Sequence, residues 1–294
     1  MIARTIRSAK QHTPDSARVL VRRTMLDAHN ARLRLTVPVS RHCGYENLYH
    51  FTVHKTGSQW MKSLFSDPVV YRHCGLLPYV PRLARGNRRS VPPPGHVSLS
   101  AFLPYERYRS IPKPDAHRAF FVLRDPRDIV VSSYFSLRGS HAPMGDIPRV
   151  RKVLRESPVR DGLLHVIDYL ADRGLYRTLR SWALAPGADT FRLLRYEDLT
   201  GERQQDEVDR LMRHCGIVLP PADLAALLAR YSFARMRRTP GDSGSNPHYR
   251  SGRAGDWRNH FDDDVHRAFV AATGDLVQIL GYPAPDAPRH LAVE

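Results

Sequence analysis

Cysteine is scarce in this 294-residue chain, and the three present, Cys43, Cys74 and Cys215, are odd in number and far apart. Such spacing excludes a disulfide framework and the short paired spacing of a zinc site. Each follows a histidine (His42, His73, His214), but adjacent residues cannot easily point at one ion, so no metal is expected. Long apolar runs are missing too: none reaches the length of a bilayer span, and no apolar segment follows the first arginines. The chain is therefore expected in the cytoplasm, neither exported by a standard signal nor membrane-spanning. Also absent is the G-x-x-x-x-G-K-[ST] loop of ATP-binding proteins, which makes ATP with magnesium a poor fit. Acids are outnumbered, 29 Asp and Glu against 45 Lys and Arg, for a formal charge of +16. That field draws anions without choosing among polyphosphorylated nucleotides, acidic polysaccharides, nucleic acid and anionic membranes, and solvated surface charge produces it equally well. The aromatics are not interleaved with basic residues as in a stacking platform, so nucleic acid is not expected as a partner.

With 42% hydrophobic residues, the chain can bury one ordinary core and is read as a single domain. Residues 1–46 carry nine Lys or Arg against three acids; they predict a basic, helical N-terminal arm packed on the domain, with peripheral contact to a membrane or partner as the alternative. The main domain is placed at 47–285 and a tail at 286–294. Leu48 to Val53 reads as a strand, Lys55-Thr56-Gly57-Ser58 as a tight loop, and Gln59 to Phe65 as a helix. Residues 78–95, rich in Pro, Arg and Gly, predict a surface loop. His96 to Leu103 alternates as a half-buried strand does, and Ala119 to Leu123 is a continuous apolar run of the buried parallel kind. Pro126 marks a helix start that runs to about Leu137. Helical patterns fill much of 144–187, then 202–215, 221–233 and 263–280, with a strand at Thr190 to Leu194; 237–259 is too polar for a core and predicts a lid loop or disorder. Strands alternating with helices predict an α/β fold, a central parallel sheet flanked by helices on both faces.

Three segments carry chemistry. In Val53-His54-Lys55-Thr56-Gly57-Ser58-Gln59-Trp60 a strand ends and a helix opens, so backbone N–H groups and hydroxyls can surround a phosphate, with Lys55 adding a full charge. Taken alone, an ordinary polar turn reads the same. In Leu123-Arg124-Asp125-Pro126-Arg127-Asp128 and the helix that follows, Arg124 and Ser132 can converge on one phosphate, Arg124 through a bidentate fork. Asp125 and Asp128 are expected to cap that helix and pair locally with Arg127. The third segment, His248-Tyr249-Arg250-Ser251-Gly252-Arg253-Ala254-Gly255-Asp256-Trp257-Arg258-Asn259, offers arginines and glycines suited to closing over an anion, or a solvated basic loop.

In this order and spacing the three segments resemble the sulfotransferase family that uses 3′-phosphoadenosine-5′-phosphosulfate (PAPS), over roughly residues 47–262. The resemblance implies a P-loop-NTPase-like sulfotransferase fold, PAPS as sulfuryl donor, and no metal. It implies that Lys55, Thr56, Gly57, Ser58 and Gln59 hold the 5′-phosphosulfate, that Trp60 stacks on adenine, and that Arg124 and Ser132 hold the 3′-phosphate. Tyr196 and Phe233 match further nucleotide contacts, and Arg250, Ser251 and Gly252 match residues that return to the 3′-phosphate. The acceptor is expected to be a small molecule, lipid or carbohydrate bearing a hydroxyl or amine.

The sequence departs from the family at the base. Cytosolic members carry His-Leu-Pro ahead of the 3′-phosphate strand; here an ungapped count back from Arg124 reaches Phe102-Leu103-Pro104, and phenylalanine accepts no proton. His96 and Ser100 share a strand face with Phe102 by alternation, so His96 is the first candidate base and His141, after the Pro126 helix, the second. Ser251 stands where cytosolic members have lysine, with Arg253 able to compensate, and their dimerisation motif is missing. The rival readings are a P-loop-type kinase and a non-catalytic anion- or nucleotide-binding protein.

Overall fold

The structure, a computed structural model, describes residues 15–81, 91–237 and 254–284. Its centre is a five-stranded sheet of β1 (Asn47–Thr52), β2 (Leu77–Tyr79), β3 (His96–Ala101), β4 (His117–Leu123) and β5 (Phe191–Arg195), in the order β2-β3-β1-β4-β5. Every pairing is parallel, with Asn47 beside His96 and His117, and Val122 beside Thr52 and Leu194. Parallel strands need crossovers, and the helices that supply them cover both faces. On one face Tyr49, Phe51, Phe121 and Trp182 pack with α4 (Pro126–Phe135), α5 (Ile147–Glu156), α6 (Val159–Asp172), α7 (Leu175–Ala183) and α10 (Asp263–Thr273). On the other, Leu48, Phe120 and Val122 meet α2 (Ser58–Phe65), α3 (Pro68–Cys74), α8 (Gln204–His214) and α9 (Pro221–Arg230). The chain is thus one α/β domain. All three cysteines are buried and free, on this second face.

Helix α1 (Asp15–Thr36) lies at the β2 edge, with Leu33 buried against Tyr71 and Leu77 and Asn30 donating to the Pro78 carbonyl at 3.0 Å. Two sequence expectations change. A short edge strand, β2, occupies Leu77–Tyr79, although the composition of 78–95 predicts a loop; Pro78 conceals it because proline is tolerated at an edge. Strand β3 is buried on both faces from Val97 onward, so its alternation does not mark a solvent side.

His50 shows what burial does inside the sheet. Its ring is fully buried and stacked on Phe120 at 4.8 Å, and its Nδ1 accepts the Ser100 N–H at 3.3 Å. Desolvation first, then the charge of Lys62, pushes its pKa from 6.5 down to about 3. Between these values the unfolded chain binds a proton that the native state refuses. Stability is therefore fully present above pH 6.5 and falls as pH drops toward 3, by about 1.4 kcal/mol per unit from this one group. Urea unfolding at pH 7 and pH 5 is expected to show a wild-type loss about 2 kcal/mol larger than that of His50→Phe. Equal losses in the two proteins refute this account of the ring.

Candidate functional site

The site forms where β1 and β4 deliver their carboxyl ends. After Thr52 the chain turns through Lys55, whose φ of 69° is unusual for a residue with a Cβ, and through Gly57 at φ 78°. A Cβ on Gly57 would stand 3.0 Å from the Tyr196 ring, so glycine is required both by conformation and by close approach. Gly57 is the N-cap of α2; no side chain caps this helix, and its first turn holds no acid. In α3, α4 and α10 Asp67, Asp125 and Asp262 cap the first turn, whereas α5 and α7 share with α2 the lack of both a side-chain cap and a first-turn acid. What sets α2 apart is its place after the Lys55–Gly57 turn at the carboxyl end of β1, where its opening N–H groups can meet an anion that the helix dipole favours.

Thr56 is 1% exposed, and its hydroxyl donates to the Val53 carbonyl at 2.9 Å and meets the Thr52 hydroxyl. Its hydroxyl braces the loop, which leaves its N–H as the group that can face a phosphate. Ser58 and Gln59 open the helix, and Trp60 is buried with its indole N–H donating to the Tyr231 carbonyl at 3.0 Å. That bond draws the corner before Phe233, itself 36% exposed, toward the loop.

Arg124, at the end of β4, ties this loop to the second segment. Its Nη1 donates to the Lys55 carbonyl at 3.0 Å, and its guanidinium lies 4.5 Å over the Tyr196 ring. Eight residues on, half-buried Ser132 sits in α4. Asp125 behaves as expected: it caps α4 through Arg127 N–H and pairs with the Arg127 guanidinium at 2.8 Å. Asp128 does not. Its carboxylate accepts from Gly255 N–H at 2.7 Å and Trp257 N–H at 3.0 Å, and lies 3.8 Å from Arg124. Burial pushes its pKa up against the pull of Arg124 and those two donors. Trp257 is held from the other side by Arg127, 3.9 Å from its ring. One carboxylate thereby joins the second segment to the third. Arg250, Ser251 and Gly252 lie outside the described residues, but Gly255 and Trp257, a few residues on, are fixed beside Arg124.

Glu197 was missed as well. It accepts from Asp125 N–H at 3.0 Å and from the Tyr282 hydroxyl at 2.7 Å, and so seats the Tyr196 turn against the start of α4. Its adjacency to Tyr196 is the only sequence signal for it.

The two candidate bases fare differently. His96 stands at the amino end of β3, beside Asn47, about 16 Å of strand away from the carboxyl end where the loop begins. Its Nδ1 bonds the Pro93 and Pro94 carbonyls at 3.1 and 3.0 Å. His96 is therefore withdrawn: sharing a face says nothing about position along a strand, and the bulge opposite residues 49–51 with Ser100 at φ 59° breaks the alternation as well. His141 follows a π-helical turn at Ser136–Ser140, half-buried. Its Nδ1 donates to the Ala142 carbonyl at 3.0 Å, which leaves Nε2 with its lone pair. Near it, immediately before Lys55, is a histidine that the sequence reading passed over. His54 stacks on Phe102, centroids 4.2 Å apart and planes 18° from parallel.

Among the described residues no cluster of three His, Cys, Asp or Glu is placed to hold a metal ion. Comparison with protein families matches residues 49–281 to the sulfotransferase domain. No curated protein matches the chain by sequence. Among solved structures, mouse sulfotransferase SULT7A1 complexed with PAP is similar at a TM-score of 0.59 and 14% identity, over 85% of this chain and 88% of that one. Retinol dehydratase with androsterone and the inactive cofactor PAP is similar at 0.52 and 16%, over 82% and 83%. The same enzyme with retinol and PAP gives 0.51 and 16%, over 83% and 84%.

Proposed function

The chain belongs to the sulfotransferase domain family, and from that premise we propose that it transfers a sulfuryl group from PAPS to a hydroxyl or amine of a small-molecule acceptor. The observation that carries this reading is the joining of the three segments. Arg124 binds the Lys55 carbonyl, and Asp128 binds the Gly255 and Trp257 amides. Residues far apart in sequence are thus tied together beside the uncapped start of α2.

The residues present fit the donor. The N–H groups of the 55–59 loop and the Lys55 ammonium would hold its 5′-phosphosulfate. Arg124 and Ser132 would hold the 3′-phosphate, Arg250, Ser251 and Gly252 adding to them, and Trp60, Tyr196 and Phe233 would line the adenine. Bound PAPS supplies an activated sulfuryl group. Lys55 stabilises negative charge at the bridging oxygen, and the loop dipoles are already oriented before reaction. An acceptor of modest size agrees with the androsterone and retinol carried by the retinol dehydratase structures.

A dedicated 3′-phosphate site separates 3′-phosphoadenosine-5′-phosphate (PAP) from ADP. One charge-assisted hydrogen bond contributes about 1.5–3 kcal/mol, so calorimetry is expected to find PAP bound about 10- to 100-fold tighter than ADP. Equal affinities would remove Arg124 and Ser132 from that role. Incubation with labelled PAPS and a panel of alcohols, phenols and amines, read by product mass, tests the transfer itself. Failure to label any acceptor class, together with magnesium-dependent ATP turnover, would replace this reading by a kinase.

A further inference from the structure

We propose that His54 is the group that takes the acceptor's proton, positioned for it by Phe102 and by its place beside Lys55. The assignment rests on the sulfotransferase reading above. It starts from a gap: the position expected to carry the base is Phe102, which holds no proton acceptor. The structure sets an imidazole directly on that ring, 4.2 Å away and nearly parallel to it. Phe102 therefore serves as a platform, and the chemistry it lacks is carried by the residue stacked upon it.

Three further observations agree. His54 adjoins Lys55 in the chain, and its ring lies close enough to Lys55 and His141 to feel the charge of both. The residue keeps solvent-exposed surface, which leaves an edge for an acceptor to approach, although its ring sits deep enough among protein atoms for desolvation to dominate its titration. Neither ring nitrogen hydrogen-bonds to a described residue. The histidines of the fold elsewhere are committed differently: His50 accepts from Ser100 N–H, His96 and His117 bond proline carbonyls, and His214 bonds the Ala119 carbonyl.

The groups that face the ring are cationic or can become so. Desolvation by the surrounding protein first, and then the charges of His141, Lys55, Arg173 and Lys62, push the His54 pKa down to about 4. The ring is therefore neutral at pH 7, the form that accepts a proton. Negative charge from a nucleotide in the loop raises that value toward the range where a base works best.

The step balances as follows. The acceptor oxygen forms its bond to sulfur while the bond from sulfur to the bridging oxygen breaks. That electron pair stays on the 5′-phosphate oxygen beside Lys55. The acceptor proton passes to the His54 imidazole and from its exposed edge to water.

The test uses the full chain and three variants, His54→Phe, His54→Gln and His141→Gln. Calorimetry with PAP comes first; affinities within about threefold of wild type show the loop intact, and phenylalanine preserves the stack on Phe102. With one acceptor and saturating PAPS, both His54 variants are expected to lose about 100-fold or more in kcat and to lose the acidic limb of the pH profile. His141→Gln is expected to keep that limb. Histidine NMR of the wild type, assigned by subtraction of the His54→Phe spectrum, is expected to place the His54 midpoint near pH 4 without nucleotide and higher with PAP. If wild type binds PAP and transfers sulfate while His54→Phe keeps its rate and its limb, the His54 assignment falls and the sulfotransferase reading stands. Disappearance of the limb in His141→Gln instead moves the base to His141. Absence of PAP binding and transfer in wild type overturns both.

Discussion

Alanine at Lys55 lowers kcat about 100-fold or more while weakening PAP binding by a smaller factor. The reason lies in how the loop is held. Its backbone is fixed by groups other than the Lys55 side chain: Arg124 grips the Lys55 carbonyl, the Thr56 hydroxyl braces Val53, and Gly57 turns the chain against Tyr196. The variant keeps this cradle, and with it the N–H groups that meet the phosphate. What it loses is a full positive charge at the point where the bridging oxygen becomes anionic, an interaction stronger in the transition state than in the ground state. Loss of one such donor costs about 2.7–4 kcal/mol of barrier, equivalent to about 100- to 1,000-fold. Steady-state rates with labelled PAPS and calorimetry with PAP measure the two quantities separately. A variant with wild-type kcat and only a raised KM for PAPS would make Lys55 a binding residue.

Much of this site was legible because its signals are local. A strand that ends in Lys55-Thr56-Gly57-Ser58 before an apolar helix, and an apolar run that ends in Arg124-Asp125-Pro126, each announce their turn within a dozen residues. The α/β alternation followed from the same short-range periodicities, and the Asp125 cap from its place before proline. The contacts that were not legible join distant residues. His54 meets Phe102 across 48 positions of sequence, and Asp128 meets Gly255 and Trp257 across 127 and 129. No pattern of spacing encodes such meetings; they follow from the order of strands in the sheet. The misassignment of His96 has the same origin. Alternation reports which face a side chain occupies, whereas a parallel sheet places its chemistry at one end, and only the register of β3 against β1 puts His96 at the other.

Asp128 is the residue on which the largest loss of stability is expected. Its carboxylate is 1% exposed, accepts two backbone N–H groups from the 255–257 turn and faces the Arg124 guanidinium. Alanine there removes all three partners at once. Two buried donors lose their acceptor, and Arg124, itself 8% exposed, loses its carboxylate. Breaking a buried ion pair from one side costs about 3–5 kcal/mol, because the remaining charge keeps its desolvation penalty. Asparagine is expected to cost less, since its carbonyl still accepts one N–H. Chemical denaturation measures the loss, and hydrogen exchange locates it: protection of the Gly255 and Trp257 amides falls in Asp128→Ala before that of the β4 core. Function changes in the same variant. Once the turn at 255–257 leaves α4, the anchor of the chain that follows Arg250, Ser251 and Gly252 is lost, and the preference for PAP over ADP is expected to shrink toward unity. A variant that unfolds within 1 kcal/mol of wild type, with both amides still protected, would show that the carboxylate does not hold the third segment in place.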